Sequence, residues 1–440
     1  MTRPVSAATR WGDGVDRVHD TAAGQADTAA GQADTASLGN PLAGVRVVEV
    51  GVWHAGPGAS VILADLGAEV IKVESLRGDP ERHNGQFGAM KTDSLDSGDW
   101  TLIFELSNRN KKSVALDLAT QEGRRIVHAL VKDADVFVTN LRGSTRESLG
   151  IDYESIREVN PRIIYSDTTG FGPAGDLANT GAFDTLGQAY SGMLFVTGGD
   201  EPTPLSAIVL DQLTAITTSH GILVALYARE HSGVGEQVHA SLYGSAIWLM
   251  YANLVTTSAL GREIDTSWNR RGHAVLRSTF KCRDGAWLAG THHPEEPYWA
   301  RFCTTIGRPD LITDERYATK AARMERLSEI YDILDHEFLQ RDRDEWLKVF
   351  ARAGLLFAPV NRFTDVLSDQ QARANDYIVE IDHRRLGHLA VPGYPIGFSR
   401  HVTNTHAAAP GVGEHSDEVL AALGLGSEEI RGLRARNVVG

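Results

Sequence analysis

The chain has 440 residues, of which 42% are hydrophobic and 23% charged, a composition that supports globular domains and argues against wholesale disorder. Its 43 basic and 57 acidic residues give a net charge of −14, which disfavours a nucleic-acid-binding surface. The two cysteines, Cys282 and Cys303, exclude a disulfide framework and a cysteine-rich zinc site and fit a reducing compartment. We find no secretion signal and no apolar run of about 20 residues, so we expect a cytoplasmic protein that does not span a membrane.

Residues 1–40 differ in composition from the rest of the chain. The unit AAGQADT occurs twice in tandem, over 22–28 and 29–35, and contains no large apolar side chain. Such a segment cannot bury enough surface to offset its ordering entropy, so we predict a disordered leader. An isolated alanine-rich helix is the alternative, which the glycines weaken.

From residue 41 onward, strands alternate with helices. A glycine-rich turn over 51–58 links the first strand to the first helix. The predicted strands cover 45–50, 69–73, 113–118, 136–139, 163–166 and 238–242, and the predicted helices cover 59–66, 121–132, 153–159 and 213–229. This alternation favours an α/β fold with a parallel, doubly wound sheet over a sandwich.

After about residue 236 the alternation fades. The residues predict a helix over 246–259, a hairpin around 283–285, a charged helical stretch over 323–353 and one helix over 416–423. We therefore predict three parts of the chain. They are the disordered leader 1–40, a large Rossmann-like domain formed by 41–235 and 365–440, and a smaller α+β domain over 236–364.

Several short motifs have structural alternatives to a functional interpretation. GFGPAG at 170–175 matches GxGxxG, but Pro173 and the polar run after it argue against an NAD site. His292-His293 beside Glu295-Glu296 matches no standard metal spacing and predicts a solvated loop, so no metal site is expected. The basic run at 109–112 is either a solvated cluster or a phosphate clamp.

Two further features stay open on the residues alone. Asp184 and Asp211 each precede an apolar helical run, where a carboxylate caps a helix or serves as a nucleophile. The turn at 51–58 is either a tight strand–helix connection or a place where a phosphate approaches a helix N-terminus.

Taken in order, the longer motifs identify a family. The chain resembles the class III CoA-transferases of the CaiB/BaiF superfamily, which include formyl-CoA transferase and carnitine CoA-transferase. The resemblance is carried from about residue 41 to the end by PLAGVRVVEV, AGPGASVILADLGAEVIKVE, NRNKKSVALDL, ADVFVTN, NPRIIYSDTTGFGPAG, FDTLGQAYSG, LYAREHSGVGEQVHASL and APGVGEHSDEVLAALGL.

The resemblance implies a reaction centred on Asp211. This residue would attack a donor acyl-CoA to give a mixed anhydride and then an enzyme-bound CoA thioester, from which CoA passes to a free carboxylic acid. We expect a helix N-terminus to keep the Asp211 carboxyl ionised. The resemblance also implies an interlocked homodimer, with CoA and acyl-CoA as substrates and no tightly bound cofactor.

The same resemblance implies a set of CoA-binding residues. These are Trp53, His54, Ala55, Lys111, Lys112, Asn140, Leu141 and Arg146. The two lysines would contact the nucleotide phosphates, and Asn140 with Leu141 would approach the adenosine or pantetheine. Many members carry an arginine where this chain has Ser148, and Arg146 is chosen over Arg142 as its substitute. His54 stands where formyl-CoA transferase has a glutamine.

Three other functions remain open at this point. An α-methylacyl-CoA racemase-like epimerisation uses a histidine directly before the aspartate matched by Asp184, where this chain has Phe183, although His54 or His220 could reach the site from elsewhere. A non-enzymatic CoA-binding protein would have no use for Asp211. An NAD oxidoreductase would bind nicotinamide nucleotides.

Overall fold

A computed structural model describes residues 37–440 except 85, 88–89, 92–97, 197–200, 206–207, 267–268 and 404–406. Most of the predicted leader, residues 1–36, lies outside the described residues. The last part of that segment is described and hydrogen-bonded. The Leu38 N–H donates to the Arg400 carbonyl at 2.8 Å, and the Asn40 side chain donates to the Val402 carbonyl at 2.9 Å. Ordered structure therefore begins before residue 41.

The described residues form thirteen strands. They are β1 (Arg46–Val50), β2 (Glu69–Glu74), β3 (Gln86–Phe87), β4 (Met90–Lys91), β5 (Lys112–Ala115), β6 (Val136–Thr139), β7 (Ile164–Thr169), β8 (Gln237–Ser241), β9 (Thr279–Lys281), β10 (Trp287–Gly290), β11 (Phe357–Pro359), β12 (Ile378–His383) and β13 (Gly387–Pro392).

The same part of the chain forms eighteen α-helices. They are α1 (Ala55–Asp65), α2 (Leu102–Asn108), α3 (Gln121–Lys132), α4 (Gly143–Leu149), α5 (Tyr153–Val159), α6 (Asp184–Tyr190), α7 (Val209–Ser232), α8 (Leu242–Leu249), α9 (Tyr251–Leu260), α10 (Glu296–Thr305), α11 (Asp310–Thr313), α12 (Lys320–Glu325), α13 (Leu327–Phe338), α14 (Arg343–Arg352), α15 (Phe363–Leu367), α16 (Gln370–Ala374), α17 (Ser416–Ala422) and α18 (Ser427–Ala435).

Six parallel strands form the central sheet, in the order β5-β2-β1-β6-β7-β8. Val47 of β1 pairs with Val70 of β2 on one side and with Val136 of β6 on the other. These strands are rich in β-branched residues because helices cover both faces of the sheet. The predicted α/β fold with a parallel sheet is confirmed.

The strand order creates a switch point between β1 and β6. From β1 the chain proceeds outward through β2 to β5, then returns to β6 and proceeds the other way through β7 to β8. The connections after β1 and β6 therefore leave the sheet in opposite directions and open a crevice at its carboxyl edge. Such crevices are where doubly wound folds bind ligands.

Two separate hydrophobic cores stand out. One covers the sheet and includes Leu420 and Leu433, so that α17 and α18 return to the first half of the chain. The other lies between 275 and 357 and contains stacked aromatic rings such as Phe350 and Phe357, whose centroids are 4.0 Å apart. The boundaries predicted at 235 and 365 stay a prediction. The C-terminal part holds a β12–β13 hairpin and α18 in addition to the one helix expected.

Helix α7 is the longest described helix, with 24 residues. By length and a mean hydropathy of 1.3 it could cross a membrane, which a search for unbroken apolar runs does not reveal. Half of this stretch is buried inside the fold, where it packs on α1, β7 and β8. Core helices meet the same two criteria, and α7 carries Ile222 and Ala225, which belong to a further core cluster together with Val47 and Val138 of the sheet.

Candidate active site

The loops after β1 and β6 are locked together at the switch point. The Asn140 side chain accepts the Val52 N–H at 2.9 Å and donates to the Val52 carbonyl at 2.6 Å. Glycine at residue 51 leaves room for this contact, because a Cβ at that position would lie 3.0 Å from Asn140 Oδ1. Two of the predicted site segments, 53–55 and 140–141, are thereby held side by side.

Trp53 has an unusual backbone conformation. Its φ is 61°, in the left-handed region that costs a bulky residue about 1–3 kcal/mol. The Asp79 side chain accepts the Trp53 N–H at 3.2 Å, and the indole meets the ring of Phe183 edge-on at 5.6 Å between centroids. Strain of this kind concentrates at functional sites, where the surrounding structure enforces it.

Close packing of α1 on α7 brings Asp211 to the same place. A Cβ on Gly58 would lie 2.9 Å from the Ala215 Cβ, so the two helices touch with almost no side chain between them. One turn before this contact, His54 precedes α1 and Gln212 lies in the first turn of α7. Their side chains hydrogen-bond through His54 Nε2 and Gln212 Oε1 at 3.0 Å. Asp211 directly precedes Gln212 in the first turn of α7.

A cavity of 540 Å³ opens at this point. Its walls are residues 52–55, 140–143, 168–170 and 178–183, together with Asp211 and a few neighbours on α4, α6 and α8. Trp53, His54, Ala55, Asn140 and Leu141 therefore line the same cavity as Asp211. Gly170 of the GFGPAG loop is also in the wall, whereas 171–175 are not.

The Asp211 carboxyl is buried without a compensating cation. The residue is 8% exposed, and no hydrogen bond or ion pair to its side chain is found among the described residues. Burial, and then the charge of Asp184, raises the pKa of Asp211 to about 7. A carboxylate in this setting is poorly solvated and correspondingly reactive.

The expected effect of the helix N-terminus on Asp211 is therefore wrong. Asp211 does lie in the first turn of α7, but the amides there are already occupied. Asp184 Oδ2 accepts the N–H of Leu210 at 2.7 Å and the N–H of Asp211 at 3.0 Å. The helix dipole is thus met by Asp184, whose negative charge opposes ionisation of its neighbour.

His54 is a neutral hydrogen-bonding residue in this structure. It is almost fully buried, with Nδ1 2.7 Å from Ser107 Oγ and Nε2 facing Gln212. Burial is the main cause that lowers the pKa of His54 to about 4, and the hydrogen bond to Gln212 opposes it. An imidazole that stays neutral near pH 7, with both nitrogens engaged, is poorly suited to moving a substrate proton.

The two predicted phosphate-binding lysines lie away from the cavity. Lys111 Nζ is buried beneath α1, 2.6 Å from Glu49 Oε2 and 2.8 Å from the Pro57 carbonyl. Lys112 bridges Glu69 and Glu418 at the outer edge of the sheet, at 2.9 and 2.8 Å. Lys111 is not free to contact a phosphate because the buried Glu49 carboxylate, inside β1, needs cations to compensate its charge, and Lys112 is engaged by two surface carboxylates.

The structure also places Arg146 differently from the prediction. Its guanidinium pairs with the buried Asp167 at 2.8 Å and is not in the cavity wall. Arg142, the alternative that was not chosen, is exposed and lines the cavity. It lies against the 178–183 segment, where a Cβ on Gly181 would be 2.7 Å from Arg142 Nη2. Arg142 could have been chosen from the sequence, because it directly follows Leu141, which was already expected in the site.

A second cavity of 480 Å³ adjoins the first and shares Val52 and Leu141 with it. It follows the carboxyl edge of the sheet across β1, β2 and β5, with walls formed mainly by 50–52, 73–78 and 116–118. Arg77, which the sequence analysis did not single out, is an exposed cation in this wall. The two cavities together form an elongated site along the sheet edge.

The described residues contain no cluster of side chains that could hold a metal ion. The 292–296 segment was expected to be a solvated loop, and that expectation is wrong for two of its residues. His292 is buried and accepts the Leu356 N–H at 2.9 Å, and Glu295 is buried in an ion pair with Arg323. Both serve the second core.

Comparison with known proteins gives a consistent result. The sequence profile of CoA-transferase family III matches residues 42–416. The chain is 32% identical over 401 residues to a (R)-2-hydroxy-4-methylpentanoate CoA-transferase of Clostridioides difficile, covering 90% of this chain and 99% of that one. It is 30% identical over 384 residues to a mouse succinyl-CoA:glutarate CoA-transferase, with 86% of each chain covered.

Solved structures show the same architecture. A CAIB/BAIF family protein from Brucella suis superposes with a TM-score of 0.77 at 30% identity, covering 88% of this chain and all of that one. A protein of Mycobacterium tuberculosis superposes with a TM-score of 0.73 at 26% identity, covering 86% and 98% of the two chains.

Proposed function

Because this chain belongs to CoA-transferase family III and is a CoA-transferase, we propose that it moves CoA from an acyl-CoA to a free carboxylic acid through covalent intermediates on Asp211. The observation that carries this proposal is the Asp211 carboxyl itself, 8% exposed, in the wall of a 540 Å³ cavity at the switch point of the sheet. Its pKa of about 7 leaves a substantial ionised fraction at neutral pH.

In the proposed first step, an ionised Asp211 oxygen attacks the thioester carbonyl, and the C–S bond breaks to release CoA thiolate. The product is a mixed anhydride between Asp211 and the acyl group. The thiolate then attacks the aspartyl carbonyl, which releases the donor acid as a carboxylate and leaves Asp211 as a CoA thioester. An acceptor carboxylate reverses both steps and leaves with the CoA, so that Asp211 is regenerated.

The shape of the site suits a long substrate. The thioester would lie beside Asp211 in the first cavity, and the rest of CoA would extend past Val52 and Leu141 into the second cavity. Arg142 lies in the wall of the first cavity and Arg77 in that of the second. Their guanidinium groups are suited to bind the phosphates of CoA or the carboxylate of the acid substrate. CoA and acyl-CoA are thus substrates in this proposal, and no step needs a bound cofactor.

The racemase alternative is not favoured. Phe183 lines the cavity at the position where the racemases carry their histidine, and a phenyl ring cannot transfer protons. His54 is in the wall, but it is neutral and held between Ser107 and Gln212. Assay in heavy water would reveal racemase activity as deuterium at the α-carbon of the acyl group.

We also propose that the chain functions as an interlocked homodimer. Large apolar side chains are exposed along one region of the described structure, from α7 to α9. They include Val224, Tyr227, Trp248, Leu249, Tyr251, Leu254 and Val255, each at least 42% exposed. Contiguous apolar surface of this kind marks a protein interface. Light scattering during size-exclusion chromatography should give about twice the 47.7 kDa chain mass.

The decisive test of the reaction is chemical trapping of Asp211. Hydroxylamine added during turnover with an acyl-CoA should convert Asp211 to a hydroxamate, visible by mass spectrometry of the peptide containing it. Asp211→Asn should abolish transfer, by on the order of a thousandfold or more, because an amide is not a comparable nucleophile. Asp152→Asn, at the cap of α5 and in the wall of neither cavity, should leave transfer intact. Unmodified Asp211 under turnover, or an active Asp211→Asn variant, would disprove the proposal.

A further inference from the structure

Asp184 is a buried carboxylate that the reaction described above does not use. It is 6% exposed and is the first residue of α6. One of its oxygens accepts the main-chain N–H groups of Leu210 and Asp211, and the other accepts the side-chain amide of Gln188. One oxygen therefore contacts the first turn of α7, and the other contacts a side chain of α6.

These contacts replace a cap that α7 lacks. The residue before α7 is Ile208, whose side chain cannot accept a hydrogen bond, and none caps the helix there. Asp184 satisfies the first-turn amides instead, although it lies 27 residues before Asp211. The helix that carries the nucleophile is thus capped from another helix, directly at the nucleophile.

Gln188 extends the same support to the chain that leads into α7. It lies one turn after Asp184 on α6, and its amide oxygen accepts the Leu205 N–H at 3.0 Å while its nitrogen donates to the Leu205 carbonyl at 3.3 Å. Two side chains of α6 therefore hold the main chain on both sides of residues 206–207.

We propose that Asp184 is a positioning residue for the transferase reaction: its carboxylate fixes the first turn of α7, and with it the reacting carboxyl of Asp211, at the cavity. This rests on the proposed function, in which Asp211 is the nucleophile. A carboxylate attacking a thioester has to be aligned within a fraction of an ångström, and first-turn amides held by a buried acceptor provide that alignment.

The position of Asp184 has an electrostatic consequence as well. The titratable and charged side chains that share the cavity wall with Asp211 are His54 before α1 and Arg142 after β6, and Asp184 on α6 lies beside Asp211, where it accepts the Asp211 N–H. Of these, Asp184 acts on Asp211 in addition to burial, and both raise its pKa. Removal of the Asp184 charge should therefore let Asp211 ionise at lower pH.

The test compares the pH dependence of kcat/KM in five proteins: the wild type, Asp184→Asn, Asp184→Glu, Gln188→Ala and the control Asp152→Asn. Asparagine keeps an oxygen for the α7 amides but removes the charge, so the acid limb should move to lower pH. At pH 5.5 this variant should retain a fraction of its own plateau activity at least about threefold larger than the wild type does, since one pKa unit corresponds to about tenfold in ionised carboxylate.

Asp184→Glu separates alignment from charge. Glutamate keeps the charge but is one methylene longer, so the acid limb should stay in place while the plateau kcat falls, with KM for acyl-CoA little changed. Gln188→Ala should behave in the same way, because it loosens the chain before α7 and leaves the Asp184 charge in place. Asp152→Asn should match the wild type in both the limb and the plateau.

Two results would overturn the inference: an Asp184→Asn acid limb that coincides with that of the wild type, or Asp184→Glu and Gln188→Ala variants with a wild-type plateau. If Asp184→Asn does not fold, the plateau values of the other two variants still decide. Hydroxylamine trapping on the wild type separates this outcome from failure of the proposed function, since Asp211 would still be modified if only the role of Asp184 were wrong.

Discussion

Replacement of Asp211 by asparagine is expected to stabilise the fold while it removes the activity. The carboxyl is 8% exposed, and burial followed by the charge of Asp184 raises its pKa from 3.8 to about 7. The folded protein therefore keeps a proton on Asp211 over a pH range in which the unfolded chain has already released it. Stability must then fall as the pH rises through this range.

The size of the effect follows from the shift. About three pKa units at about 1.4 kcal/mol each amount to about 4 kcal/mol. The folded state loses this stability as the pH rises from about 4 to about 7, and below about pH 4 there is no such penalty. Asparagine is neutral throughout, so its advantage over aspartate should be small near pH 4 and complete above pH 7. Because the amide fits the site imperfectly, we expect a gain of about 2–4 kcal/mol at pH 8.

Urea denaturation at one protein concentration, at pH 5.5 and at pH 8, measures this gain. The matched control is Asp152→Asn, since Asp152 accepts the Ser155 N–H and hydroxyl and its pKa is lowered, mainly by these hydrogen bonds, against the effect of burial. The same substitution there should reduce stability at pH 8. If Asp211→Asn unfolds at the same or lower urea concentration than the wild type at pH 8, or gains equally at both pH values, the fold does not oppose ionisation of Asp211.

Two further substitutions test the geometry of the site. Gly58→Val should lower the free energy of unfolding by about 1–3 kcal/mol, measured by urea denaturation, and should lower kcat, because even a Cβ at this position would lie 2.9 Å from the Ala215 Cβ. Gly397→Val is the control, since a Cβ there meets nothing within 4 Å, and it should change neither quantity. Arg142→Ala should raise KM for a substrate at unchanged stability. Arg146→Ala should instead destabilise the fold by about 1–3 kcal/mol, because the buried Asp167 loses its arginine partner although it keeps its contact with His239. Reversed effects would contradict the assignment of Arg142 to the cavity.

Some elements with strong local signals were predicted from the sequence with correct bounds, whereas helix α7, expected over 213–229, spans Val209–Ser232. Helix α3 is one of them: it begins after Thr120, whose hydroxyl caps the Gly123 N–H at 3.0 Å, and it buries Ile126, Val127 and Leu130 on one face. Short helices such as α2 and α4 were missed. Helix α4 buries no side chain, so its sequence carries no apolar period.

In the candidate site, too, positions set by the local chain could be predicted, whereas positions set by contacts distant in sequence could not. The family resemblance implied that Trp53–Ala55 and Asn140–Leu141 share a site. In the structure both segments line one cavity, because they follow parallel strands whose carboxyl ends meet at one edge. The Lys111 side chain could not be placed, because its position is decided by the buried charge of Glu49, 62 residues earlier. The contact between Asp184 and the first turn of α7 could not be predicted from the sequence either, because it joins two helices whose packing no local sequence pattern encodes.

The distribution of buried charge distinguishes Asp211, the proposed nucleophile, from the ion-paired carboxylates of the fold. Glu49 is paired with Lys72 and Lys111, Asp79 with Lys72, and Glu74 with Arg82, so each of these carboxylates is a stabilised ion and a poor nucleophile. Asp211 has instead another carboxylate as its nearest charge.

The same arrangement limits where the transition state can be stabilised. Asp184 already occupies the amides of Leu210 and Asp211, so these two groups are not available to the oxyanion that would form if Asp211 attacked a thioester. In the proposed reaction, donors on other elements of the cavity wall, which comprises 52–55, 140–143, 168–170 and 178–183, would stabilise that oxyanion. The proposed nucleophile and its oxyanion site would thus be carried by different elements of the fold.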